Sequence, residues 1–330
     1  MPTDVWGLIV NHLTANQQPA IQYIRLSFIS SVSRQLNFIC KKHKQHPNFQ
    51  NSLVQQTKFQ QYFAQSGFIN CMKYAHENGC TWDKWTCASA ALNGYIACLK
   101  YAHENGCEWD SDTCSNAAAQ GHLQCLKYAH ENGCSWDKYT CLFAASSGNL
   151  DCLEYAHKNG CEWDQQTCLS AAEKGHVLCL KYAHENGCDW NDRICSNAAW
   201  NGHLECLKYA HENGCDWNED TCSSAVSKGQ LECLKYAHEN GCQWDSNSCS
   251  EAAWYGQLEC LKYMHENGAE WNKDTCKNAA RNGKLDCLKY AHENGCDWDA
   301  SVCLCATWSN HLECLKYAHE KGCPCEHNQQ

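Results

Sequence analysis

Cys125, His130, Cys134 and Cys141 form the pattern Cys-x4-His-x3-Cys-x6-Cys. Near copies of it recur along a chain that holds 31 cysteines and 18 histidines in 330 residues. Thiolate and imidazole are ligands that zinc prefers, and a cysteine beside a histidine is also a thiol nucleophile beside its base. The spacing speaks against both. No Cys-x2-Cys pair is present, and on a helix Cys125 and His130 lie about 140° apart, too far round to share an ion. Ala269 stands where the copies have a cysteine, while Tyr263, His265, Trp271 and Cys276 around it are kept. A position that accepts alanine asks for a small apolar group, a role free cysteine fills. Ten equivalent nucleophiles would serve no one reaction, and each would need its own electropositive pocket. The thiols therefore read as packing, with no catalytic residue, no metal ligand and no cofactor. A Cys/His-rich zinc-binding or redox protein is the competing reading, and stoichiometric zinc on elemental analysis is what it requires.

What must position these residues is a repeat. The stretch Cys125-Leu126-Lys127-Tyr128-Ala129-His130-Glu131-Asn132-Gly133-Cys134 has ten close copies, whose tyrosines run from Tyr74 to Tyr317 at intervals of 27 residues. A fixed period of that size marks a solenoid of stacked supersecondary units. In each copy an Asp or Asn, from Asp83 through Asp110 to Asp299, stands where its side-chain oxygen caps a helix start. Gly121 ends this first helix, and its equivalents are glycine in every copy except Asn310, the two residues that best tolerate a left-handed C-terminus. A second helix runs from His122 or Leu123 to Asn132 and is stopped by Gly133. Its Tyr128, Cys125, Ala129, His130, Leu126 and Leu123 cover about 220° of arc, more than one partner helix can bury. The first helix carries Cys114, Ala117 and Ala118, small enough for close approach. Isolated helix pairs this short are marginal, so stability must lie between repeats. His130 and its copies are expected to hydrogen-bond from repeat to repeat as a ladder of imidazoles that acid destabilises.

Charge narrows the partners. Residues 1–60 hold six Lys and Arg against one acidic residue, leaving 20 against 36 beyond them. An acidic array is a poor match for a nucleic-acid backbone. No run of about 18 apolar residues exists to span a membrane, and Met1-Pro2-Thr3-Asp4 is no secretory signal. The expectation is a cytoplasmic protein with reduced thiols, bound to neither nucleic acid nor membrane.

Residues 1–45 differ from the rest. Pro2, Asp4, Trp6, Ile9 and Leu13 mark an amphipathic helix, and Arg25, Leu26, Ser27, Val32, Ser33 and Arg34 follow in a second apolar stretch. This segment resembles an F-box, with Phe28-Ile29-Ser30-Ser31 lengthening the usual spacing. The resemblance implies docking on the Skp-type adaptor of a cullin-RING ubiquitin ligase through Pro2, Trp6, Ile9, Leu13, Leu26, Val32 and Arg34. Residues 46–70 read as an N-terminal capping unit, 71–323 as the repeats and 324–330 as a short tail.

The repeat itself resembles the ankyrin repeat. Gly121-His122-Leu123-Gln124-Cys125-Leu126-Lys127 matches the family's Gly-His-Leu-Glu-Val-Val-Lys, and Thr113-Cys114 with Ala117-Ala118 stands in for Thr-Pro-Leu-His-x-Ala-Ala. Only seven steps separate Gly133 from Thr140, where that family uses about twelve. The implied fold is all-α: an ankyrin-like solenoid of helical hairpins, its β-hairpins reduced or absent and Trp136 packed over the turn, behind a small helical head. Tandem repeats of this wording joined to an F-box look like proteins of amoeba-infecting giant viruses and some protists, which would place this one in the host cytoplasm.

Function should lie where the copies disagree, because the agreeing positions hold the stack. Trp85, Tyr139, Phe143, Arg193, Trp200, Trp254, Tyr255, Arg281 and Trp308 fall at the variable positions of the first helix and its approach turn. Exposed Trp, Tyr and Arg are favoured interface anchors. These nine are the expected contacts to a target protein whose identity the sequence does not encode. The reading is a non-enzymatic substrate receptor linking that target to the ligase, with a plain interaction or blocking scaffold as the alternative.

Overall fold

The computed structural model describes residues 50–216, 219–245 and 247–324. Among these residues there are twenty α-helices and no strand. The chain divides into two compact bodies, Met1–Trp163 and Asp164–Gln330. The first holds α1 (Gln50–Ser66), α2 (Ile69–Glu77), α3 (Lys84–Leu92), α4 (Ile96–Glu104), α5 (Ser111–Ala119), α6 (Leu123–Glu131), α7 (Lys138–Ser146) and α8 (Leu150–Lys158). The second holds α9 (Gln165–Lys174), α10 (Val177–Glu185), α11 (Arg193–Asn201), α12 (Leu204–Glu212), α13 (Glu219–Lys228), α14 (Leu231–Glu239), α15 (Ser248–Tyr255), α16 (Leu258–Glu266), α17 (Lys273–Arg281), α18 (Leu285–Glu293), α19 (Ala300–Trp308) and α20 (Leu312–Glu320). Each odd helix pairs with the even helix after it, and within each body odd packs on odd and even on even. This is the expected all-α arrangement of stacked helical hairpins, with tight turns where β-hairpins would project. The adaptor-binding candidates Pro2, Trp6, Ile9, Leu13, Leu26, Val32 and Arg34 lie outside the described residues.

Local chemistry starts most of the first helices and stops both helices of a repeat. Asp110 accepts the Asp112 amide at 3.2 Å, Asp137 the Tyr139 amide at 3.0 Å and Asp164 the Gln166 amide at 2.9 Å. Asn191, Asp245, Asn272 and Asp299 do the same two residues on. Asp83 departs from the expected capping, because both its oxygens take the Gln61 side-chain amide at 2.9 Å instead. Both helices of a pair end in the same two-bond motif. His122 and Cys134 donate their amides five residues back, to Ala117 at 2.8 Å and Ala129 at 2.9 Å, around Gly121 and Gly133 at φ +74° and +84°. Asn310, the exception to glycine, also sits at positive φ, +57°. This hairpin-like closure demands a left-handed residue, which explains both glycines. It also fixes the cysteine after the second one: that position folds back onto the helix it has just left, where a small apolar side chain fits.

Burial is narrower than the predicted arc. Cys125, Leu126 and Ala129 are fully buried, while Leu123, Tyr128 and His130 are half-exposed. In the first helix Cys114, Ala117 and Ala118 are sealed, so first helices approach through small side chains. One leucine per repeat, such as Leu180, Leu207 or Leu234, supplies the bulk, each contributing about 1.5–3 kcal/mol by its removal from water.

Candidate functional site

The nine variable side chains sit on the odd helices or the turn leading into them. Trp85, Tyr139 and Arg193 occupy the first turn, Phe143 stands four residues beyond Tyr139, and Trp200, Trp254, Arg281 and Trp308 occupy the last turn, seven residues along. Offsets of four and seven residues return to within about 40° of the starting direction and about 60° of one another on a helix, so each of these eight lies on the same side of its own first helix. Tyr255 stands one step round from Trp254. All nine are exposed, Trp308 most of all at 80 %. The opposite face carries the buried Cys and Ala, which is why the variable residues could change while the stack did not.

In the first body Tyr139 stacks on Phe143 with ring centroids 6.0 Å apart, and the Lys84 ammonium lies 5.3 Å from the Trp85 ring while bonding Asp110. In the second body cations rest on the tryptophans. Lys228 Nζ is 4.4 Å from the Trp200 ring centre, and the Arg281 guanidinium is 5.4 Å from that of Trp254. Cations over indole faces are held by the ring quadrupole and keep their charge outward. Trp200, Trp254 and Trp308 stand on alternate repeats, with Ser227 and Arg281 between them. Arg193 shares a helix with Trp200 but makes no contact with it that the geometry displays. Lys228 escaped the sequence reading although its repeat position varies, being Asn201, Tyr255, Asn282 and Ser309 in other copies; the signal is its offset, one repeat and one residue beyond Trp200, which brings it over the ring only once the repeats are stacked.

A second recurrent feature ties the repeats together. His130 stacks flat on Trp136, centroids 3.7 Å apart, and its Nδ1 lies 3.1 Å from the hydroxyl of Tyr155 in the next repeat. His184 repeats this with Trp190 and Tyr209, and His292 with Trp298 and Tyr317. The predicted imidazole ladder therefore exists as a half-exposed aromatic relay rather than a buried column, and the turn tryptophan finds the histidine as its partner. With the ring neutral and Nε2 protonated, Nδ1 accepts the tyrosine O–H. Burial pushes the phenols up, Tyr317 to about 12 with help from Glu293.

Burial also lowers His76, His157 and His292 below the ordinary imidazole value, with Lys158 adding to it at His157 and Lys321 at His292, against Glu77 at His76 and Glu293 at His292. A lowered folded-state value means that the unfolded chain takes up protons first as pH falls below 6.5, so this stability is complete above 6.5 and is lost on acidification through the folded values. The melting temperature is expected to fall between pH 7.5 and 5.5, and to fall less in His292→Asn. A fall of the same size in both proteins would remove the relay as its cause.

Among the described residues no three Cys, His, Asp or Glu side chains gather as the ligands of a metal would, and no helix is long and apolar enough to cross a membrane. The thiols meet in twos. Cys222 and Cys242 have their sulfurs 2.9 Å apart, and Cys168, Cys195 and Cys276 donate to the backbone carbonyls of Cys188, Cys215 and Cys296 at 3.8, 3.8 and 3.9 Å. A separation of 20 residues does not announce this pairing; the return of the second helix to the first creates it.

Comparison of the sequence with curated proteins returns no match. Among solved structures, the human ASB11 ankyrin repeat domain is similar, at 22 % identity, covering 48 % of this chain and 84 % of that one with a TM-score of 0.44. Residues 195–275 match the family model described as ankyrin repeats (3 copies). Residues 168–211 and 276–319 match the one described as ankyrin repeats (many copies). The glycine turns, sealed small residues and paired helices seen at these positions are what such repeats are built from, and from 168 to 319 this chain carries ankyrin repeats.

Proposed function

We propose that the chain is a non-enzymatic protein-binding scaffold whose odd-helix face holds a target protein. One observation carries this reading: in each body the variable residues, Trp85, Tyr139 and Phe143 in the first and Arg193, Trp200, Trp254, Arg281 and Trp308 in the second, lie on the exposed side of their own first helices while the residues behind them keep the stack. Aromatic side chains exposed together on a rigid framework lose little entropy on docking, and each central one is worth about 2 kcal/mol or more at an interface. Tyr255 extends the contact beside Trp254. The resemblance of residues 1–45 to an F-box supports the finer proposal. The head, through Pro2, Trp6, Ile9, Leu13, Leu26, Val32 and Arg34, holds a Skp-type adaptor in the cytoplasm so that a cullin-RING ligase ubiquitinates the target. Catalysis then belongs to the partners.

Two captures test the two halves. Proteins co-purified by the parent chain from cells should be lost when Trp200, Trp254 and Trp308 are all changed to alanine, in a variant that keeps its melting temperature; an unchanged set ends the face assignment. Purified Skp-type adaptor should bind the parent and not a variant with Ile9→Asp and Leu13→Asp. No binding by the parent removes the ubiquitin role and leaves the scaffold.

A further inference from the structure

The thiol pairs have no part in the binding face, and packing alone does not require their sulfurs to touch. Ala269 shows that the post-glycine position works without sulfur, since it is buried there opposite Cys249 with the same turn intact. Yet Cys222 and Cys242 approach to 2.9 Å, about 0.9 Å from the length of a disulfide bond. We propose that the intra-repeat thiol pairs, foremost Cys222–Cys242, are modification sites at which a peroxide reversibly converts the two thiols into a disulfide within the repeat.

The two sulfurs of a pair are unequal. The hydrogen bond between them pushes Cys222 up, with burial adding to it, and draws Cys242 below the ordinary thiol value against the effect of burial. The same inequality holds in Cys168–Cys188, Cys195–Cys215 and Cys276–Cys296. The post-glycine sulfur is the one that ionises first, and it is the one nearer the surface, 2 % exposed at Cys242 against none at Cys222. As thiolate it attacks a peroxide oxygen, the O–O bond breaks, and hydroxide leaves to form a sulfenic acid. The first-helix thiol, already in contact, attacks that sulfur; the S–O bond breaks, its hydroxyl leaves as water with the thiol's proton, and the S–S bond forms. Two thiols and one peroxide give one disulfide and two waters, and a dithiol reductant reverses the step by exchange.

The link would change what closes each helical hairpin on itself. Cys188, Cys215 and Cys296 donate their S–H to the backbone carbonyls of Asp164, Asn191 and Asn272, at the start of the first helix of the same repeat, at 3.2, 3.3 and 3.4 Å. Oxidation replaces that hydrogen bond with a covalent link between the end of the second helix and the first helix.

The test uses the full chain, reduced, exposed to hydrogen peroxide under native conditions, quenched with iodoacetamide and mapped by mass spectrometry without reduction. The expected result is cross-linked peptides joining Cys222 to Cys242 and Cys195 to Cys215, with Cys249 alkylated, and loss of the cross-links after dithiothreitol. Cys242→Ala, which copies the natural Ala269, should fold as the parent does and leave Cys222 alkylated after peroxide. Overoxidised cysteines without cross-links, or cross-links that include Cys249 as often as the pairs, would overturn the assignment.

Discussion

Leu207→Ala is expected to lower the stability of the second body by about 2–5 kcal/mol, the range for emptying a sealed leucine site. Leu207 is fully buried on α12, which packs against α11, α10 and α14, so the cavity opens among four packed helices. Small side chains fill most of the remaining core, leaving no neighbour of sufficient reach to collapse into the hole. Trp308→Ala removes a larger side chain that is 80 % exposed and should change stability by no more than about 0.5 kcal/mol. Urea unfolding of the two variants reads the contrast directly. Equal losses would mean that bulk at the surface, and not one leucine per repeat, holds the array.

Gly121→Ala should cost about 2–4 kcal/mol and Gly133→Ala about 1–2 kcal/mol, although both sit at nearly the same positive φ. The difference is what stands over them. A Cβ on Gly133 meets nothing within 4 Å, whereas one on Gly121 would lie 2.6 Å from Asn149 Oδ1 and 3.0 Å from its Cγ. Asn149 is not free to step aside, because its Nδ2 donates at 2.9 Å to the carbonyls of Ala118 and Ala119, which end α5. Displacing it removes a side-chain donor from both carbonyls, of which Ala118 keeps the Gly121 amide at 3.2 Å. In an Asn149→Ala background the gap between the two glycine substitutions should shrink, and a gap that persists would place the cost in the backbone alone. Elsewhere His122, His203, Gln230 and His311 lie over the preceding repeat's glycine in the same way. The residue after each glycine is thus a contact between repeats that the repeat pattern did not reveal.

Much of this architecture could be read before any coordinates, for a physical reason. A 27-residue period, an Asp or Asn before each first helix and a glycine after each helix are local signals, since capping and left-handed closure involve residues within a turn or two of one another. The family models match ankyrin repeats over 168–319, in keeping with the resemblance carried by the second-helix motif. The side of the first helix that would be exposed also followed from position alone, because the same odd helix must turn its alanines inward to stack.

Other features depend on contacts between residues about one repeat apart. Cys222 meets Cys242 only because the second helix folds back on the first, and Lys228 reaches Trp200 only because two repeats stack at one spacing. Likewise the histidine, tryptophan and tyrosine of the relay are three separate consensus letters until stacking places the tyrosine of one repeat against the histidine of the one before. Local backbone chemistry, written within a few residues, sufficed for the helices and their ends. The side-chain pairings depend on the rise and rotation from one repeat to the next, which packing sets and no single repeat encodes.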